Sequence, residues 1–223
     1  VRQVNAELTP HLLQVVVQGM VMLILSVAVH EFGHAWMANR LGDRLPAMQG
    51  RVTLNPLAHA DPIGTLLLPA VFLFSTGYVG FAWGKPVEHT THDRKKRLLI
   101  AFAGPAMNVV LAAMVVTLHM VLVKAGVMAM HDRFSDVLMM AVFLNFILFF
   151  FNLIPAAPLD GGSVARGLIP RSWVRGYDEY ARYAPFVVLA FMLIPAFGKL
   201  VSTPAAWMTL KLYAALGTIA GLG

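Results

Sequence analysis

Residues 12–29 read LLQVVVQGMVMLILSVAV, an apolar run broken only by two Gln and one Ser, and the helical pattern continues without a turn into HEFGHAWMANRLG. At 1.5 Å per helical residue, about 18 residues reach roughly 27 Å, close to the 30 Å of a bilayer's hydrocarbon core. Further long runs fall at about residues 98–123, 137–154, 185–200 and 205–221. They are continuous rather than alternating in ten-residue segments, which excludes a transmembrane β-barrel. With 58% hydrophobic and 13% charged residues and no cysteine, the chain is neither an ordinary soluble globule, nor a disordered protein, nor a disulfide-stapled or Cys-ligated zinc module.

The pattern predicts an all-α polytopic membrane protein of about five to six transmembrane helices. Residues 1–223 form one membrane-embedded domain, with a core over about 12–165 and C-terminal helices over about 183–222. Residues 63–78 are short and carry Gly64, Pro69 and Gly77, so this stretch is expected to be a re-entrant or short β segment near the site. Pro195 is expected to kink the 185–200 run. Ser26-Val27-Ala28 resembles a signal-peptide cleavage site, but Arg2 is the only positive residue before the run and the helix continues past it, so the segment is read as a span. No PDZ or CBS domain and no internal repeat is expected.

Chemistry enters at His30-Glu31-Phe32-Gly33-His34, which matches HExxH. Residues i and i+4 share a helix face, so both imidazoles can converge on one metal ion while Glu31 serves as acid/base. With eight His and four Glu, a chance match has a probability of about half a percent. Three ionisable groups after an apolar run are costly unless they face a cavity or a partner, which marks a functional site. A catalytic zinc site takes three protein ligands and keeps one position open. The 137–154 run ends in Asn152-Leu153-Ile154-Pro155-Ala156-Ala157-Pro158-Leu159-Asp160-Gly161-Gly162, where two prolines break the helix. Taken alone, Asp160 also reads as a cap of the next helix. Beside HExxH it is the best candidate for the third ligand among seven Asp and four Glu.

These motifs resemble the site-2 proteases, intramembrane zinc metalloproteases. The resemblance rests on residues 30–34 and 152–162 and extends to NPLAHADPIG (55–64), GKPV (84–87) and AGPAMN (103–108). It implies one zinc ion per chain on His30, His34 and Asp160, with Glu31 as catalytic acid/base and Asn152 handling substrate or the oxyanion. Ala156-Ala157 departs from the Ile-Pro pair of many members. Residues 78–87 resemble the region where such proteases dock an unwound substrate by strand addition, and there Asn108 and Asn152 would be its side-chain partners.

Charge supplies an independent check. The net charge of +6 is not a nucleic-acid footprint, because the basic residues sit in short loops between apolar runs. If His30, His34 and Asp160 share a metal, the first run and the 137–154 run end on one face, so residues 63–78 do not cross. Twelve basic residues (Arg40, Arg44, Arg51, Lys85, Arg94, Lys95, Lys96, Arg97, Arg166, Arg171, Arg175, Arg182) then lie on that face and four (Arg2, Lys124, Arg133, Lys199) on the other. By the positive-inside rule the site lies near the cytoplasmic side of a bacterial-type inner membrane. The expected activity is cleavage of peptide bonds within or beside transmembrane segments of other proteins, with the lipid bilayer as the other partner. The alternatives are a metal-ion transporter using the same His/Asp cluster, which has no need of Glu31, and an idle scaffold, which needs none of these residues. Substrate identity and oligomeric state are not encoded in any motif.

Overall fold

The computed structural model describes residues 10–71 and 83–221. The element order is α1 (Pro10–Arg40), α2 (Leu45–Met48), α3 (Pro56–His59), α4 (Pro62–Val71, its first six residues a π-turn), α5 (Arg94–Lys124), α6 (Arg133–Asn152), α7 (Asp160–Leu168), α8 (Val174–Ala181), α9 (Ala184–Leu193) and α10 (Pro195–Ala220). No strand occurs among the described residues. Val17–Arg40, Arg94–Lys124 and Arg133–Asn152 are long and apolar enough to cross a membrane.

Helix ends follow local chemistry. Asp93 accepts from the Lys96 N–H at the start of α5, and Asp132 from the Ser135 N–H at the start of α6. Each carboxylate satisfies a donor that the first helical turn leaves unpaired. The C-terminal part differs from the sequence reading. The chain breaks at Ile194, in extended conformation, and α10 starts at Pro195 and runs through Pro204 for 26 residues. Pro195 occupies the first helical turn, where its missing N–H costs nothing, so it begins a helix instead of kinking one. At ten residues α9 is too short to cross alone. Residues 160–182, between the expected apolar runs, fold into α7, a 3-10 turn and α8.

Helix α1 packs along α5, which also contacts α6, α7 and α10. Ala112, Val116, Met120, Val142, Phe146, Ala205 and Tyr213 form the buried core between α5, α6 and α10. Close approach of α1 and α5 depends on two glycines. A Cβ on Gly33 would lie 2.6 Å from the Ala103 carbonyl oxygen, and one on Gly104 would overlap the His34 ring. The AGP element of α5 is thus the surface against which HEFGH is seated.

The described stretches between α1 and α5 are tied to one another by hydrogen bonds. The Trp83 N–H donates to the Gly64 carbonyl (3.1 Å) and the Lys85 N–H to the His59 carbonyl (2.8 Å), so the flanks of residues 66–82 lie side by side. The Asp43 carboxylate accepts from the Thr90 and Thr91 N–H groups at 2.5 and 2.9 Å, and Arg51 donates to the carbonyls of Ala58 and Lys85. Residues 83–87 form no strand, and the rest of the predicted docking segment, 78–82, lies outside the described residues.

Candidate metal centre

A cluster of polar side chains lies where the C-terminal half of α1, the N-terminal half of α5 and the α6–α7 junction meet. His30, Glu31 and His34 are buried on α1. The His30 Nε2 is 3.0 Å and the His34 Nε2 3.3 Å from Asp160 Oδ2, and the two Nε2 atoms are 3.1 Å apart. Two residues one helical turn apart and a third distant in sequence thus present one ligand atom each to a common point.

What those atoms can do follows from the bonds behind them. His34 Nδ1 faces the Ile100 carbonyl at 2.7 Å, an acceptor only, so Nδ1 carries the proton and, in the neutral ring that binds a metal, Nε2 offers a lone pair. For His30 the same result propagates through two amides. The Ala141 carbonyl requires the Asn145 Nδ2 as donor (2.9 Å), which leaves Asn145 Oδ1 to accept from Asn108 Nδ2 (2.9 Å). Asn108 Oδ1 is then the acceptor for His30 Nδ1–H (2.7 Å). With both rings neutral, two imidazole lone pairs and a carboxylate oxygen therefore converge with no donor between them. Buried acceptors so arranged repel one another unless a cation sits among them. Ligand bonds of 2.0–2.1 Å in a tetrahedral site place donor atoms about 3.3–3.4 Å apart, near the observed spacing. The residues fit a metal ion.

A cavity of about 450 Å³ opens beside the cluster, lined by His30, Glu31, His34 and Asp160 together with apolar Val27, Leu148, Phe151 and Leu159. Glu31 Oε2 is buried and makes no hydrogen bond within the described residues. Asn152 lines the same cavity and its Nδ2 donates to the Leu148 carbonyl at 2.9 Å. Asn108 occupies a different place: it is fully buried behind His30, with both ends of its amide engaged, and does not line the cavity.

Other ionisable residues separate from the cluster. His59 is fully buried with Nε2 2.7 Å from the Thr53 carbonyl, and burial lowers its pKa. His119 lies between Tyr213 and Ser135, at 2.9 Å from each hydroxyl. In the basic cluster, Arg94 donates to the Ile169 carbonyl and Lys96 to the Leu41 carbonyl (2.9 Å), so part of it braces helix ends. Sequence reasoning missed Asn145 and His89. The first is a polar residue inside an apolar span, a signal that was legible. The second lines the cavity with its Nδ1 buried, and no motif marks it.

An HExxH helix joined to a distant carboxylate, among helices long enough to cross a bilayer, defines a membrane metallopeptidase. The family described as "Peptidase family M50" matches over residues 18–130 and 118–195. The "Putative zinc metalloprotease YwhC" of Bacillus subtilis (strain 168) is 36% identical over 190 residues, 82% of each chain. The "Putative zinc metalloprotease Rip2" of Mycolicibacterium smegmatis is 31% identical over 179 residues, 79% of this chain and 66% of that one. No solved structure matches. The chain belongs to peptidase family M50, the site-2 protease family.

Proposed function

We propose that the protein is an intramembrane zinc endopeptidase that cleaves other membrane proteins within or beside their transmembrane segments. The observation that carries this reading is the convergence of one ligand atom each from His30, His34 and Asp160 beside Glu31, whose buried Oε2 has no hydrogen-bond partner among the described residues, in a largely apolar cavity. These three residues would hold one zinc ion. When bound, zinc acts as a Lewis acid toward water and the scissile carbonyl.

The chain's own residues do the rest. Glu31 takes the proton of the attacking water and returns it to the leaving amine, a role open to a carboxylate with an uncommitted oxygen. The Asn108 and Ile100 oxygens hold the two rings so that Nε2 of each faces the site. Asn152, on the cavity wall, orients the substrate or stabilises the developing oxyanion. Low polarity around the cavity strengthens each of these interactions. The charge asymmetry of the loops supports a site near the cytoplasmic side of a bacterial cell membrane.

Glu31→Gln separates this reading from metal transport. Purified variant and wild type are compared for zinc content and for cleavage of a model transmembrane substrate. The variant is expected to keep one zinc per chain and to lose cleavage by at least about a hundredfold. Undiminished cleavage by Glu31→Gln, or zinc transport with no cleavage by the wild type, would refute it.

A further inference from the structure

Asp160 stands at a weak point of the backbone. Pro155 and Pro158 interrupt the chain between α6 and α7 and supply no N–H, so carbonyls at the end of α6 lack their helical donors. No side chain caps α7, whose first residue is Asp160 itself. The turn is closed on itself by close packing. A Cβ on Gly162 would lie 2.9 Å from the Ala157 nitrogen, and one on Gly161 would overlap the Leu153 and Ile154 carbonyls.

One side chain from outside spans this turn. The Tyr177 hydroxyl, on α8, lies 2.9 Å from the Gly162 carbonyl and 3.2 Å from the Pro155 carbonyl. A phenol has a single proton, so it is shared between an oxygen before Asp160 and an oxygen after it. Helix α8 is itself fastened to α7 by the bidentate pair of Arg166 with Asp178, at 2.7 and 2.9 Å. Among the described residues the hydroxyl bonds to these two carbonyls. Its ring packs against Tyr180, with centroids 5.6 Å apart, a contact that phenylalanine would keep.

We infer that Tyr177 is a positioning residue for the third metal ligand: its hydroxyl clamps the two sides of the 155–162 turn and so sets where the Asp160 carboxylate stands. The inference rests on Asp160 being a zinc ligand. Groups that orient ligands from outside the coordination sphere are typically worth 10–100-fold in metal affinity or activity.

The test is zinc affinity of the full chain in detergent, measured by competition with a chromophoric chelator, for wild type, Y177F, Y180F and D160A. Expected are about tenfold weaker zinc binding in Y177F, no change in Y180F and loss of the metal in D160A. The melting temperature of zinc-free Y177F is expected to fall by no more than the roughly 2–4 °C that one lost hydrogen bond costs, a loss too small for general unfolding to explain the weaker zinc binding. Wild-type affinity in Y177F while D160A loses zinc overturns the positioning role and leaves the ligand set standing. Full zinc affinity in D160A overturns the ligand set, and the inference with it. Should Y177F fail to fold, D178N, which loosens only a half-exposed pair, reads the same brace: weaker zinc binding supports it and unchanged binding overturns it.

Discussion

Gly104→Ala tests whether the seat of HEFGH on α5 governs the chemistry. A Cβ at this position would come 2.8 Å from His34 Cδ2 and closer still to Cε1 and the ligand atom Nε2, where ordinary contact begins at 3.4 Å. The imidazole is rigid and its Nδ1 is held by the Ile100 carbonyl, so it cannot rotate away without breaking that bond. Measured from Cδ2 alone, the ring must retreat by about 0.6 Å, three times the roughly 0.2 Å tolerance of metal–ligand distances. Displacements approaching 1 Å in a reacting group cost on the order of a hundredfold in rate. Gly104→Ala is therefore expected to lower zinc content and to cut cleavage of a model transmembrane substrate by about a hundredfold. Gly198→Ala, where a Cβ meets nothing within 4 Å, serves as the control and is expected to leave both unchanged. Wild-type zinc stoichiometry and turnover in Gly104→Ala would refute the argument that this glycine makes room for the ligand.

Asn108→Leu removes the acceptor for His30 Nδ1–H and is expected to weaken zinc binding by roughly 10–100-fold, read by chelator competition, with the substrate KM unaffected because the residue lies outside the cavity. Since the chain has no cysteine, single cysteines can be labelled cleanly: probes at positions 44, 95 and 175 are expected to react from one side of the membrane and one at 133 from the other. Opposite labelling of 44 and 95 would mean that the intervening segment crosses. Burial raises the Asp43 pKa, but the N–H groups of Leu45, Thr90 and Thr91 outweigh it and hold the carboxyl below its usual range. A depressed carboxyl stabilises the fold above its unfolded pKa and loses that contribution as pH falls through the folded value. Amides 90 and 91, their exchange rates corrected for the intrinsic pH dependence, are accordingly expected to be protected at pH 7 in wild type and to lose that protection in acid, whereas in Asp43→Asn they are unprotected at pH 7. Equal rates in the two proteins would show that Asp43 does not hold the loop.

What could be read from the sequence was local in origin. The apolar runs report membrane spans because burial in hydrocarbon acts on each segment separately, and α1, α5 and α6 lie within a few residues of the expected runs. His30 and His34 were legible because four residues make about one helical turn, so their common face is a property of the helix alone, and Glu31 because it stands between them in HExxH. Asp160 could be ranked but not placed, since no local rule brings a residue 126 positions beyond His34 to within 3.3 Å of its ring. The C-terminal helix boundaries were misjudged because proline is as compatible with a first turn as with a break, and packing decides between them.

The tertiary structure alone decided how the site is tuned. Asn108 looked like a partner for substrate, yet α5 crosses α1 so that its amide meets His30, and a carbonyl on α6, at Ala141, determines through Asn145 which way that amide points. The lone pair that His30 presents to a metal is thus set by a chain of bonds spanning three helices. Hydrogen-bond direction passes from partner to partner only once the partners are in contact. The sequence therefore contained the ligands, and the packing of α1, α5 and α6 determined what those ligands offer.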